Sequence, residues 1–227
     1  MKTLLKSAGL ALALVAALFA TVSLAAEKKP GSKPPAPEAP GWKSLFDGKS
    51  LKGWRESDFA GRSTVEVKDG RLVAGLGEML TGITLTDTND LPRMNYEVLV
   101  EGMKVQGSDF WLALTFPVGK DCCTLVLGGW GGAVVGVSSI DHQDASDNET
   151  TQFLKFDNNK LYRVAVRVTD KKLEAWLDDE QIVNLELAGR KISMRFGEIE
   201  DSQPFGLANY QTEAVWKTIK VRKLEAK

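Results

Sequence analysis

From Trp42 onward the chain alternates apolar and polar residues in short runs broken by turn residues. No stretch of useful length carries a 3.6-residue apolar period. STVEVKDGRLVAG is two alternating segments joined by Asp69-Gly70, a pair suited to a two-residue hairpin turn. Further strands are expected in NYEVLVEGM, SDFWLALTF, CTLVLGG and AVVGVSSI. LYRVAVRVTDKKLEAWLDDEQIVNLEL then predicts a meander that turns at Asp170-Lys171 and around Asp178-Asp179. FGLANY and AVWKTIKVRKL close the chain, and in the latter Val215, Lys217, Ile219 and Val221 alternate with Trp216, Thr218, Lys220 and Arg222. Many short strands without crossover helices predict an all-β fold, a single antiparallel β-sandwich domain of jelly-roll type.

The start of the chain follows a different rule. Lys2 and Lys6 precede an apolar run from Ala8 to Leu24 that closes on Ser23-Leu24-Ala25. That is the layout of a secretory signal peptide, assigned here to residues 1–25. Residues 26–41 are rich in proline and charge and poor in apolar side chains, which predicts an extended, solvated linker. Residues 42–227 then form one exported domain, periplasmic or extracellular, that meets a membrane only through an uncleaved signal segment. With 29 basic and 30 acidic residues the net charge is −1, which argues against nucleic acid as a partner.

WKSLFDGKSLKGWR at Trp42–Arg55 resembles the opening of a bacterial domain family, the 3-keto-disaccharide hydrolases or 3-keto-glucoside lyase/hydratases. VEVKDGRLV, the strand pair LYRVAVRVTDKKLEAWLDDEQIV and the closing PFGLANYQTEAVWKTIKVRKL fit the same layout. The resemblance covers nearly the whole mature chain, and within the family it is similar to a subgroup of exported proteins from bacteria such as planctomycetes. It implies a concanavalin-like jelly roll acting on oxidised disaccharides or glucosides. The middle departs from the family pattern: GSDFWLALTFPVGKDCCTLVLGGWGGAVVGVSSID stands where many members carry NSG and then YE.QI.D.

That middle segment holds most of the candidate chemistry. Neighbouring strand residues point to opposite faces, so Cys122 and Cys123 are expected not to pair with each other; Cys123 follows the core parity of Leu125 and Leu127. The glycines around Trp130 match neither phosphate-loop template, because a strand follows where a helix would have to start. They suit a bend that presents Trp130, whose indole is a platform for a sugar ring. In SDFWLALTF, parity puts Phe110, Leu112, Leu114 and Phe116 inward and Asp109, Trp111, Ala113 and Thr115 outward. Trp111 and Trp130 are therefore the expected substrate-binding aromatics.

One histidine excludes multi-histidine zinc sites. Asp141, Asp144, Asp147, Asn148 and Glu149 are closely spaced oxygen donors that suit calcium. Glu198 and Glu200 in GEIED would share a face if that piece were a strand. The 3-keto sugar that the resemblance implies has an acidified proton beside its carbonyl, so a lyase requires a base and an acid. His142 is the candidate base, with Asp109 or Asp141 as its partner, provided the three converge. Three classes remain open from the sequence: a carbohydrate-active enzyme, a non-catalytic carbohydrate-binding module, and a structural envelope protein.

Overall fold

The computed structural model describes residues Ser32–Glu225; the expected signal peptide, and the linker up to residue 31, lie outside it. Among the described residues fifteen strands form two antiparallel sheets. Sheet A takes the order β13 (Glu180–Glu186), β12 (Lys172–Leu177), β11 (Tyr162–Val168), β6 (Tyr96–Gly107), β15 (Thr212–Lys223), β4 (Arg71–Ala74), β3 (Val65–Lys68), with β1 (Lys43–Ser44) also on β15. Sheet B takes the order β10 (Gln152–Phe153), β9 (Val134–Ser138), β8 (Asp121–Gly128), β7 (Leu112–Val118), β14 (Gly206–Tyr210), β5 (Leu80–Leu85), β2 (Trp54–Glu56).

The hairpin at Asp69-Gly70 has φ of 50° and 74°, the two left-handed positions that the tight turn requires. The meander β11–β12–β13 turns where the sequence indicates. Strand β5 was not foreseen.

Alternation builds the core. Tyr96, Val98 and Val100 of β6 and Val164, Val166 and Val168 of β11 face Leu112, Leu114 and Phe116 of β7 and Cys123, Leu125 and Leu127 of β8. The phenol of buried Tyr96 donates to the Pro117 carbonyl at 2.6 Å and so ties the two sheets. Strict alternation fails in the last strand: a register shift between Trp216 and Thr218 puts both Trp216 and Ile219 into the core. An extra residue in a bulge reverses the side-chain phase, which alternation alone does not show.

The stretch expected to be a solvated linker lies on the outer face of sheet A over its described part. Pro35 is buried. The Trp176 indole donates to Ser32 O at 3.1 Å, Arg167 donates to Lys33 O at 3.3 Å, and Arg222 donates to Pro40 O at 3.4 Å. Trp42 packs with Leu99, Ala165 and Trp176. A proline-rich chain has few backbone donors but keeps all its carbonyls, so it docks where side chains supply N–H groups. Beneath it, Glu97 pairs with Arg167 (2.7 Å) and with Arg222 (2.9 Å).

Strands β7 and β8 are buried on both faces. One face meets the core. The other lies beneath the segments that connect β9 to β10 and β13 to β14, and that outer face carries the site.

Candidate functional site

One row across the outer face of sheet B is built of glycines and alanines with a single valine. Register places Gly136 beside Val126, Val126 beside Ala113, Ala113 beside Ala208 and Ala208 beside Gly82. Two residues further along each strand in one direction is a row of hydroxyls, with Ser138, Thr124, Thr115 and Thr84 around Gly206. In the other direction Tyr210 stands opposite Leu80. Small residues between larger ones leave a trough, and the result is a cleft of about 430 Å³. Cavities of this size hold small organic ligands.

Three irregular segments wall the cleft. The first is the turn Gly129–Gly132, where Trp130 adopts φ 48° and ψ 55° between Gly128 and Gly131, both at φ 86°. The second is the bend before β7, which contributes Asp109 and Phe110. The third is Arg195–Ile199, which runs into a 3₁₀ turn at Glu198–Ser202.

Asp109 joins the first two walls. Its carboxylate accepts the Phe110 N–H and the Gly131 N–H, each at 2.8 Å. The bond to Phe110 bends the chain, and the bond to Gly131 holds the left-handed turn on which Trp130 stands. Trp130 is 42% exposed, and the Arg195 guanidinium lies 5.4 Å from its ring centroid. Arg195 is braced from behind by Asp144 at 3.3 Å.

The bend also corrects the expected strand parity. It slips the alternation by one residue, so Phe110 faces the cleft and Trp111 enters the core. Trp111 is fully buried, with its ring 5.7 Å from Tyr162 and 5.8 Å from Phe156. It is a packing residue. From Leu112 onward the expected phase holds: Leu112 and Leu114 point inward, and Ala113 lines the cleft.

Glu198 is the second carboxylate on the cleft wall, and among the described residues it has one long contact, the Ala60 N–H at 3.4 Å. GEIED is a 3₁₀ turn, not a strand, so Glu198 and Glu200 do not form a pair: Glu200 folds back to accept the Gly197 N–H at 3.3 Å. Arg55 anchors the turn through both oxygens of Asp201, each at 2.8 Å. Arg55, aided by the Asp58 N–H, holds the Asp201 carboxyl below its ordinary range.

Asp141 and His142 do not line the cleft. Both have positive φ, 52° and 69°, in the loop after β9. Asp141 accepts from the Lys191 N–H (2.8 Å) and from Arg190 (2.7 Å), and these partners, the backbone bond first, lower its pKa. His142 Nε2 lies 3.0 Å from Lys191 Nζ; an ammonium only donates, so the ring nitrogen accepts. Of the three expected catalytic residues, Asp109 alone borders the cleft.

The acidic loop does not fit calcium. Asp141 and Glu149 both turn to Arg190, Asp144 turns to Arg195 and to the Ser139 hydroxyl, and Asp147 accepts from Ser146. Asn148 is occupied as a brace, donating to the carbonyls of Val137, Gln143 and Asp144 while its oxygen accepts from Thr150. Among the described residues no three acidic, histidine or cysteine side chains converge as a metal set.

The cysteines follow their expected parity. Cys123 is in the core, and Cys122 is on the opposite face, near Arg93 (3.9 Å) and the Pro204 carbonyl (3.8 Å). Both are free and buried, and burial raises both thiol pKa values, that of Cys123 well above its ordinary value.

The model for the 3-keto-alpha-glucoside-1,2-lyase-like domain family matches residues 41–222. The chain belongs to this family. No curated protein matches it in sequence. Among solved structures it is similar to a putative glycosyl hydrolase from Parabacteroides distasonis, with TM-score 0.53 and 14% identity over 86% of this chain and 100% of that one. A carbohydrate-binding module, CBM66 from Bacillus subtilis, aligns with TM-score 0.51 and 14% identity over 75% of this chain and 96% of that one. A non-specific endo-β-1,3(4)-glucanase from family GH16 aligns with TM-score 0.53 and 9% identity over 85% and 95%. At these identities the neighbours show the fold, a concanavalin-like β-sandwich shared by glycosidases and binding modules. Family and fold together make this a carbohydrate-active, glycosyl hydrolase-like or carbohydrate-binding domain.

Sequence reasoning did not single out Phe110, Tyr210, Met79, Arg195 or Phe196 as cleft residues. One signal was available. LALTF and TLVL are apolar at nearly every position, which marks strands covered on both faces. The covering segments, and therefore a walled cleft, were implied there.

Proposed function

We propose that the domain, after export, binds a 3-keto-glucoside in the sheet B cleft and cleaves it by elimination across C1 and C2. The observation that carries this reading is Glu198, the cleft carboxylate left nearly without partners, in a chain of the 1,2-lyase-like family. The carbonyl at C3 acidifies the proton on C2. Glu198 takes that proton, the C2–H electrons form the C1=C2 bond, and the C1–O bond breaks toward the leaving oxygen. That oxygen leaves as an alcohol after gaining a proton, and water then adds across the double bond to give the free 3-keto sugar. Asp109 serves as a positioning residue, because its oxygens are occupied by two backbone amides. Trp130 and Arg195 hold the sugar ring, the indole by stacking and the guanidinium by hydrogen bonds.

A second reading, a non-catalytic carbohydrate-binding module, is favoured by one fact: a single loosely held acid borders the cleft, whereas cleavage by a carboxylate pair requires two. Incubation with a 3-keto-α-glucoside separates the two. Turnover that falls by about 100-fold or more in Glu198→Gln, with binding retained, supports elimination. Binding without turnover by the unaltered chain selects the module, and turnover unaffected by Glu198→Gln removes the base assignment.

A further inference from the structure

The two ends of the cleft differ in chemistry. At the β8–β9 end stand the hydroxyls of Thr124 and Ser138, with Arg195 above them. At the β14–β5 end stand Met79, Leu80, Ile199 and Tyr210, backed by Phe59 and Ala208 in an apolar cluster separate from the core. Phe110 joins this cluster, with its ring centroid 5.7 Å from that of Tyr210 and the planes inclined at 37°. Thr124 is level with Gly206 through Thr115, four strand steps from Tyr210, so the two ends lie roughly 13 Å apart along the strands at about 3.3 Å per residue. That span takes two rings end to end.

We propose that the cleft is built for a glycoside with a flat apolar aglycone, the sugar lying at the hydroxyl end and an aryl group resting on the Phe110–Tyr210 pair beside Met79. The inference rests on the carbohydrate reading above and deepens it. A second sugar at the apolar end would give up water around several hydroxyls. Few groups there replace it: the Tyr210 hydroxyl, already directed at Met79 Sδ (3.4 Å), and the Glu198 carboxylate at the margin. An aryl ring needs no such partners and meets the surface of an aromatic pair with Met79 at its edge. Apolar side chains also stand uncovered at the mouth, with Met79 45% and Phe196 93% exposed. Glu198 then lies beside the junction of sugar and aglycone, where C1 and C2 of the substrate belong.

Calorimetric titration of the full chain with phenyl α-glucoside, methyl α-glucoside and trehalose tests this, because none of the three carries the ketone needed for turnover. The phenyl glucoside is expected to bind about tenfold tighter than either of the others. Met79→Gln, a change at an exposed position, is expected to remove most of that advantage and leave methyl glucoside binding unchanged. Trehalose binding as tightly as the phenyl glucoside, or an advantage indifferent to Met79→Gln, would overturn the aglycone inference while the carbohydrate reading stands. Binding of free naphthol with none of the three glycosides would overturn the carbohydrate reading itself, and with it this inference.

Discussion

Replacing Asp109 separates positioning from chemistry. Its carboxylate accepts two backbone N–H groups at 2.8 Å, and one of them, from Gly131, restrains a turn in which Trp130 sits at φ 48°. A left-handed conformation costs a non-glycine residue about 1–2 kcal/mol. Hydrogen bonds to a charged group contribute about 1.5–3 kcal/mol, so the tie and the strain are of similar size and the tie wins. In Asp109→Ala the strain is unopposed, and the turn populates the Trp130-presenting form roughly a tenth of the time. Apparent affinity scales with the competent fraction, so ligand binding weakens by about tenfold. Asp109→Asn keeps one acceptor oxygen and is expected to lose threefold at most. Titration followed by tryptophan fluorescence gives the affinities, and steady-state rates on a 3-keto-glucoside give the turnover rate separately. The expected signature is a raised KM with turnover nearly unchanged. Turnover slowed by about three orders of magnitude in Asp109→Asn, with affinity intact, would refute the reasoning and make Asp109 the proton carrier.

Two further outcomes follow from the ion pairs. Glu97→Ala leaves the Arg167 and Arg222 guanidinium groups facing each other beneath the Ser32–Trp42 segment, where the Glu97 side chain is 1% exposed. The expected loss is about 3–5 kcal/mol in urea denaturation, and a loss under 1 kcal/mol would show that water already reaches the cluster. Asp201 has a depressed folded pKa, so its pairing with Arg55 stabilises fully above the unfolded value near 3.9 and fades as pH falls through the lower folded one. Its side chain is 34% exposed, so screening limits the contribution to about 1 kcal/mol or less, and Asp201→Asn should flatten the acid limb of the stability curve by that amount.

The sandwich was legible because alternation is local. Asp69-Gly70, the meander and the inward set Leu112, Leu114 and Cys123 each need only neighbouring residues to be read. Alternation misleads wherever one residue is inserted into the count. The Asp109 bend exchanged the roles of Phe110 and Trp111, and the shift after Trp216 exchanged those of Thr218 and Ile219. The cleft was less legible, because its walls come from segments distant in sequence. Met79, Asp109, Trp130 and Arg195 meet only when the sheet order is known. Asp141 and His142 were proposed from their place after a strand. Arg190 and Lys191, from the segment after β13, instead hold them away from the cleft.

The trough is floored by Ala113 and Val126, and it exists because Ala113 offers only a methyl where a longer side chain would otherwise stand. Its shape is therefore set by omission, and an omission is easy to revise. These positions lie on the face of the sheet away from the main core, so a longer side chain at Ala113 would occupy ligand space before it disturbed the layer between the sheets. A lineage built on this frame can shorten, divide or close its recognition surface by single substitutions while the sandwich persists. Divergence in what the domain recognises is thereby uncoupled from divergence in how it folds.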